Sequence, residues 1–250
     1  MNGGCSGGLS ERFLALLAGG RAEAGALAGV VLALSPTGAN GAELERSRLE
    51  LAFLGGGSWA SNDISRLPFW ADLVARERAS RPFDLPTAFA RSNIAGELFV
   101  SRDPRALLAE VNERINAVPY VADGANWGRS DYWASTREFS ERGGDCEDFA
   151  SAKYFALRAL GFPADAMRIV IVVNEAKQAR HAVLMVQLAD EVVVLDNLYA
   201  NLMPTFALAH YRPLLAMNEN IWQLAAPALR RARTTNALNA APLSQQAEAG

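Results

Sequence analysis

The stretch GGDCEDFASAKYFALRALGF, from Gly143 to Phe162, decides how the rest of the chain is interpreted. Two glycines form a turn, and Asp145 then fits a helix N-cap with Asp148 three residues later, a variant of the capping box. Alanines and aromatic residues continue to Leu160, after which Gly-Phe-Pro ends the helix. The stretch therefore predicts a helix with Cys146 at its N-terminus.

Three acids, Asp145, Glu147 and Asp148, surround this cysteine. A cysteine reacts as its thiolate, and neighbouring carboxylates raise the pKa of a thiol and disfavour that form. Asp145 and Asp148 have a simpler use as helix caps that complement the helix dipole. Helix capping would explain why the two aspartates are present, but it does not explain how a cysteine beside them could react as a thiolate.

The composition indicates one globular domain with a substantial core. The chain has 250 residues, 50% of them hydrophobic and 20% charged, with a formal net charge of −3. It has no dense patch of lysine and arginine, so a nucleic-acid or anionic-membrane surface is not expected. No apolar run approaches the length of about 18 residues that spans a membrane, so no transmembrane helix is expected in the mature chain.

The two ends differ from the middle of the chain. Residues 1–42 contain a short apolar run, GALAGVVLALSP, followed by small residues, and this pattern is typical of a secretory signal. Residues 230–250 show no apolar periodicity and are interpreted as a flexible tail. The folded domain is therefore expected over residues 43–229. Removal of the signal would take Cys5 with it and leave Cys146 as the sole cysteine, a thiol of interest in an exported protein.

Two further helices are predicted before the cysteine. Pro68 begins an amphipathic segment in which Trp70, Leu73 and Val74 share one face. Asp103 and Pro104 begin a second helix, which Pro119 ends. Its apolar stripe consists of Leu108, Val111, Ile115 and Val118.

The segment YVADGANWGRSDYWASTREF, residues 120–139, is predicted to be a long loop. Its richness in aromatic residues is typical of a loop that lines or covers a functional surface. The alternative is that Trp127 and Trp133 only cover the core.

Three strands are predicted after the cysteine helix, over residues 167–173, 182–188 and 192–198, with a tight turn between the last two. Helices followed by an antiparallel sheet make an α+β domain. If the turn centres on Ala189 and Asp190, His181 pairs with Leu198 and has Asp196 as its diagonal neighbour on the same face.

A diagonal pair of this kind is about 7–8 Å apart at the backbone, so a carboxylate at 196 can orient a histidine at 181. Cys146 on a helix packed against that sheet would complete a Cys–His–Asp arrangement of nucleophile, base and orienting acid. Each residue also has an ordinary interpretation. His181 simply begins a strand, and Asp196 with Asn197 forms a turn.

Four motifs, WGRSDYW, GGDCEDFASAKYFALRALGF, RHAVLMV and VLDNL, resemble those of the bacterial transglutaminase-like cysteine proteinases of the LapG type. The resemblance covers roughly residues 68–222. It implies a papain/transglutaminase-like fold in which Cys146 is the nucleophile, His181 the base and Asp196 the orienting acid. Ala182 departs from the pattern, because a bulkier apolar residue is expected after the histidine.

The resemblance also implies a calcium ion bound by Asp145, Glu147 and Asp148. A hard divalent cation prefers carboxylate oxygens and offsets their charge. Three acids do not supply six to eight ligands, so backbone carbonyls, waters, Asp123 or Asp131 would supply the rest.

Members of this family are periplasmic. They cleave large surface adhesins near the N-terminus and so control biofilm attachment, and an inner-membrane cyclic-di-GMP receptor inhibits them. The chain is thus expected to be a periplasmic, calcium-dependent cysteine endopeptidase with these two partners. Two alternatives stay open: a transglutaminase or amidase with the same triad, and a non-catalytic binding module of the same fold.

Overall fold

The structure is a computed structural model that describes residues 59–79, 103–189 and 191–225. Helices precede most of the strands along the chain, as expected for an α+β domain. The helices in these ranges are α1 (Pro68–Ala79), α2 (Pro104–Asn116), α3 (Asp123–Asn126), α4 (Thr136–Arg142) and α5 (Cys146–Ala159). The strands are β1 (Trp59–Ser61), β2 (Met167–Asn174), β3 (Ala179–Gln187), β4 (Val192–Leu195), β5 (Met203–Pro204), β6 (Tyr211–Met217) and β7 (Trp222–Leu224).

The described strands form one antiparallel sheet in the order β1-β7-β6-β2-β3-β4-β5. The three predicted strands lie side by side in it as β2, β3 and β4. The predicted boundaries of two of them were wrong. β3 begins at Ala179, so His181 lies inside the strand, and β4 ends at Leu195, so Asp196 follows it. Pairing with β2 extends β3 toward its N-terminus, because Asn174 faces Ala179.

The sheet has a helical side and a smaller second side. Alternate residues of β2 and β3, such as Ile169 and Leu184, belong to the large core that also contains residues of α1, α2 and α5. Residues of opposite parity, such as Val170 and Val183, belong to a second cluster with Tyr211. The helix α5 packs on β3, β2 and α2. This packing holds the helix that carries Cys146 against the sheet, as predicted.

The two predicted N-terminal helices are confirmed as α1 and α2. The predicted apolar faces of both are buried, and the Asp103 side chain accepts a hydrogen bond from Arg105 N at the start of α2. The end of α2 was predicted too late, because the helix stops at Asn116, before Pro119. The residue before a proline is disfavoured in the helical region, so the chain leaves the helix early. Val118 still packs against the core.

The prediction of a long loop over residues 120–139 was wrong. This segment contains α3 and the start of α4. Ser135 and Glu138 form a capping box at the start of α4, which is a signal visible in the sequence as Ser-Thr-Arg-Glu. Trp133 is 2% exposed and belongs to the large core, so it covers the core as the alternative interpretation held.

The proposed signal segment, residues 1–42, and the proposed tail, residues 230–250, lie outside the described residues. The described ranges fall within the expected domain of residues 43–229. In those ranges, no helix combines the length and the apolar character needed to cross a bilayer.

Candidate active site

The glycine turn before α5 sets the direction in which that helix begins. Gly143 has φ +74°, and a Cβ on it would lie 2.3 Å from the carbonyl oxygen of Pro119. A Cβ on Gly144 would lie 2.3 Å from Asp148 Oδ2. Only glycine fits both positions without displacing its neighbours. The turn thus brings the start of α5 against the chain that follows α2.

The capping box predicted for α5 is confirmed. Asp145 is the N-cap, and Asp148 Oδ2 accepts a hydrogen bond from the Asp145 backbone N–H at 3.2 Å. The other oxygen of Asp148, Oδ1, accepts from Ala134 N at 2.7 Å. Asp148 therefore joins the start of α5 to the segment before α4, in addition to any role as a metal ligand.

Cys146 is the first residue of α5 and is 1% exposed. Its Sγ lies 3.2 Å from Glu147 Oε2, a distance that makes a hydrogen bond when the sulfur carries a proton. In the structure Cys146 is disulfide-bonded, so its Sγ has no proton to donate and this approach is a contact. Nucleophilic chemistry at this position requires the reduced thiol.

His181 and Asp196 form the buried pair that the hairpin register predicts. Leu184 faces Leu195 across β3 and β4, which is the register given by a turn centred between residues 189 and 190. The His181 Nε2 and Asp196 Oδ1 atoms are 2.7 Å apart, and the two residues are 2% and 1% exposed. The structure therefore brings the two side chains together as the register predicts, and the orienting role of Asp196 stays a prediction.

The carboxylate of Asp196 is held by several hydrogen bonds. Leu198 N donates to Oδ1 at 2.9 Å, and the Tyr211 hydroxyl donates to Oδ2 at 2.8 Å. Burial alone would raise the pKa of Asp196, but the hydrogen bond and charge of His181, together with these two donors, hold the pKa below its usual value. Asp196 is thus an anion at neutral pH.

The second ring nitrogen of the histidine has a different environment. His181 Nδ1 is buried and has no hydrogen-bond partner among the described residues. A buried polar atom without a partner is costly in a folded protein and is typical of functional sites. With Nε2 fixed by Asp196, Nδ1 is the nitrogen left to exchange a proton with a reacting group.

Lys153 lies two helical turns after Cys146 on α5, is fully buried, and has no hydrogen-bond partner for Nζ within the described ranges. Burial lowers its pKa to about 7, against the attraction of Asp196, which raises it. Lys153 therefore lies close enough to Asp196 for the carboxylate charge to act on it.

The acids around Cys146 are joined by acids from the preceding segment. Oxygens of Asp123, Asp145 and Asp148 lie within 4.8 Å of one another, and so do oxygens of Asp123, Asp131 and Glu147. Asp123 and Asp131 were left open as ligands at the sequence level, and the structure brings both into the cluster. The five carboxylates of this acid cluster come from three places: α3, the segment after it, and the start of α5.

Burial and mutual repulsion disfavour charge in this cluster. Burial, and then the charge of Asp145, raise the pKa values of Glu147 and Asp148 well above their usual range. The same two causes raise the pKa of Asp123 to about 7. Burial also raises the pKa of Asp145. Without a compensating cation, the cluster binds protons at pH values where exposed carboxylates are ionised.

The cluster has the donor set that a hard cation prefers. Two of its oxygens, Asp123 Oδ1 and Asp145 Oδ1, are buried and have no hydrogen-bond partner in the described part of the chain. Carboxylate oxygens from four or five residues suit calcium, which takes six to eight oxygen ligands in flexible geometry. The residues present therefore fit a calcium ion, with Asp123, Asp131, Asp145 and Glu147 as its principal ligands and Asp148 beside them.

Two residues of this site were not identified from the sequence. Tyr211 begins β6, and only the order of strands brings it to Asp196. Lys153 lies in the stretch from Gly143 to Phe162 that contains α5. A lysine among alanine, phenylalanine and tyrosine residues on a buried helix face is a signal in the sequence that could have identified it. A cavity of about 460 Å³ lies elsewhere in the described part of the chain, by Asp103 and Leu202 at the start of α2.

The model of one protein family, described as bacterial transglutaminase-like cysteine proteinase BTLCP, matches residues 90–222, more than half of the chain. No curated protein matches the chain.

The solved structures that resemble the chain include LapG of Legionella pneumophila in calcium-bound form, with 31% identity, a TM-score of 0.48, and coverage of 62% of this chain and 87% of LapG. A second structure of that LapG, treated with EGTA, has 30% identity, a TM-score of 0.48, and coverage of 63% and 86%. A cysteine protease structure from Cytophaga hutchinsonii has 17% identity, a TM-score of 0.36, and coverage of 57% and 50%. On the family match, the chain belongs to the bacterial transglutaminase-like cysteine proteinases.

Proposed function

We propose that the protein is a calcium-dependent cysteine endopeptidase in which Cys146 is the nucleophile, His181 the general base and acid, and Asp196 the orienting carboxylate. The observation that carries the proposal is the buried His181–Asp196 pair, 2.7 Å apart, whose remaining ring nitrogen has no partner in the described chain. Its family membership supplies the reaction class. The position of Cys146 at the start of a helix packed on β3 suits a thiolate, because the helix N-terminus favours negative charge.

The chemistry divides into two steps at these side chains. The reduced Cys146 gives its proton to His181, and the thiolate attacks the carbonyl carbon of the scissile peptide bond. His181 then returns the proton to the departing amine as the carbon–nitrogen bond breaks, which leaves a thioester. Water, deprotonated by His181, attacks the thioester carbonyl and releases the carboxylic acid and the sulfur. Asp196 holds the imidazole orientation and stabilises its charged form throughout.

Calcium is part of the proposal because of the acid cluster around Cys146. When bound, the ion would offset the carboxylate charges that otherwise raise the pKa of the thiol. Asp123, Asp131, Asp145 and Glu147 would hold it and would fix the glycine turn from which α5 begins. One LapG structure is described as calcium-bound, and the proposal extends that property to this chain on its own donor set.

The substrate and setting follow from the motif resemblance. We infer that the protein acts in the periplasm on a large surface adhesin, near its N-terminus, and so releases the adhesin from the cell surface and controls biofilm attachment. The periplasmic domain of an inner-membrane cyclic-di-GMP receptor would inhibit it. The signal-like segment of residues 1–42 supports export.

The test is cleavage of a purified N-terminal adhesin fragment that contains adjacent alanines, taken from a repeat-rich secreted protein of the same genome. Assays contain calcium and a reductant, since Cys146 is disulfide-bonded in the structure. Cys146→Ala and His181→Ala should each lower kcat by about 10³-fold or more, because the residues of a catalytic triad act as a unit.

His210→Ala is the matched control, because the other histidine of the chain packs on Tyr211 without contacting Asp196 through any described hydrogen bond. It should retain full activity. A Cys146→Ala protein that still cleaves would overturn the proposal. Hydrolysis and transglutamination share the Cys146 thioester and differ in whether water or an amine attacks it. If an added amine is incorporated into the substrate in preference to hydrolysis, the protein is a transglutaminase.

A further inference from the structure

Tyr211 reaches the Asp196 carboxylate from a distant strand. It is the first residue of β6, and β2 and β3 separate β6 from β4, after which Asp196 lies. The Tyr211 hydroxyl nevertheless donates to Asp196 Oδ2 at 2.8 Å, and Tyr211 is 5% exposed. A tyrosine that crosses two strands to reach one carboxylate oxygen makes a specific contact, beyond what filling the core requires.

The two oxygens of this carboxylate have separate partners. Asp196 Oδ1 forms hydrogen bonds with His181 Nε2 at 2.7 Å and with Leu198 N at 2.9 Å. Among the described residues, only the Tyr211 hydroxyl donates a hydrogen bond to Asp196 Oδ2. Without this donor, Oδ2 would be a buried anionic oxygen with no hydrogen bond, which is costly, and the carboxylate could relax by rotating Oδ1 away from the histidine.

Tyr211 also contacts the histidine directly. The rings of His181 and Tyr211 meet edge to face, with centroids 5.7 Å apart and an angle of 64° between their planes. Burial, and then the charge of Asp196, raise the pKa of Tyr211 far above its usual value, so its hydroxyl keeps the proton that it donates. One side chain therefore limits the movement of both the acid and the imidazole.

We propose that Tyr211 is a positioning residue that fixes the Asp196 carboxylate against His181, so that the imidazole keeps one tautomer and one orientation during proton transfer. The inference rests on the proposed function, in which His181 is the base. Tyr211 supplies no reacting group and acts through its contacts with Asp196 and His181.

The test is the Tyr211→Phe variant, which removes a single oxygen and keeps the ring. It should lower kcat about tenfold and leave KM unchanged, because Asp196 Oδ2 loses its hydrogen bond and the carboxylate holds the imidazole less firmly. The acid limb of the kcat/KM profile should move to higher pH, since a donor that lowers the pKa of Asp196 is gone. The charged and titratable groups that face Asp196 are His181 from β3, Tyr211 from β6 and Lys153 from α5.

Tyr154→Phe is the matched control, because its buried hydroxyl accepts from Glu219 N, away from the His181–Asp196 pair. Both variants lose one buried hydroxyl, so a purely structural effect would appear in both as a lower melting temperature. Only Tyr211→Phe should change kcat and the pH profile. Equal kcat values for Tyr211→Phe and the parent would overturn the inference.

Alkylation of reduced Cys146 by iodoacetamide gives a second readout that needs no substrate. If His181 stabilises the thiolate, the alkylation rate at neutral pH and saturating calcium should fall in Tyr211→Phe and stay unchanged in Tyr154→Phe. A parent protein that alkylates normally but cleaves no adhesin would remove the proposed function. An alkylation rate that Tyr211→Phe leaves unchanged would overturn the inference separately.

Discussion

The Asp196 carboxylate and the acid cluster differ in how many hydrogen-bond donors the chain supplies to them. The Asp196 carboxylate receives three hydrogen bonds, and its pKa is held low despite burial. Four of the five acids in the cluster around Cys146 are buried too, yet pKa values in this cluster are raised and two of its oxygens have no partner in the described chain. Burial is common to both regions, so the donors decide the difference.

The contrast indicates which region is complete without a ligand. The protein itself supplies donors to Asp196, and the result is a stable anion that orients His181. The protein supplies mainly acceptors to the acid cluster, so the charge there must be balanced by protons or by a cation. A bound calcium ion would stabilise the charge of the acid cluster, as the hydrogen-bond donors stabilise the charge of Asp196.

Asp145→Ala should lower the cleavage rate about 100-fold at a calcium concentration that saturates the parent, because a lost ligand weakens the cation site beside Cys146. Excess calcium should restore only part of the rate. The matched control is Asp103→Ala, since Asp103 is also an N-cap aspartate but begins α2. It should cost about 1 kcal/mol of stability and leave the calcium response unchanged. Equal losses of activity in both variants would mean that Asp145 is only a cap.

Calcium should raise the melting temperature of the parent. A ligand that binds only the folded state at 100 times its Kd stabilises it by about 2.7 kcal/mol, or roughly 5–10 °C for a domain of this size. Magnesium at the same concentration should give a smaller shift, because it needs stricter octahedral geometry and loses water reluctantly. Thermal unfolding in calcium, magnesium and chelator measures this. A Glu147→Gln protein that kept the full calcium shift would remove Glu147 from the ligand set.

Lys153→Met should stabilise the fold by roughly 1–4 kcal/mol at neutral pH, because an apolar chain of similar length replaces a buried amine that has no hydrogen-bond partner among the described residues. The folded pKa of Lys153 is about 7 and its ordinary value is 10.5, so between these pH values the unfolded chain binds the extra proton.

The parent should therefore gain stability as pH rises from about 7 to 10.5, and the penalty should be complete below pH 7. The Lys153→Met protein should lack this rise. Chemical denaturation across that pH range measures both slopes. Parallel pH profiles for the two proteins would show that Lys153 keeps its ordinary pKa in the folded state, as a solvated or paired ammonium group.

Much of the fold could be predicted from local patterns. The caps at Asp103 and Asp145 and the apolar faces of α1 and α2 are set by residues a few positions apart, and the structure confirms them. The register of His181 and Asp196 could also be predicted, because a short hairpin turn fixes which residues face each other.

Long-range features could not be predicted in the same way. The position of Tyr211 next to Asp196 depends on the order β6-β2-β3-β4, which no local spacing contains. The extension of β3 to Ala179 depends on pairing with β2. For Asp123 and Asp131, the sequence predicts acids near the motif but not their distance from Glu147, which is set by the path of the chain through α3.

The most direct test of the account is the alkylation rate of reduced Cys146 as a function of free calcium. The reaction is measured at neutral pH with iodoacetamide, and the modified residue is located by mass spectrometry. The account predicts a rate that rises with calcium to a plateau, because the cation lowers the pKa of the thiol, and a much weaker response to magnesium. An equal rate in calcium and in chelator would contradict it, and would leave the acids around Cys146 as helix caps alone.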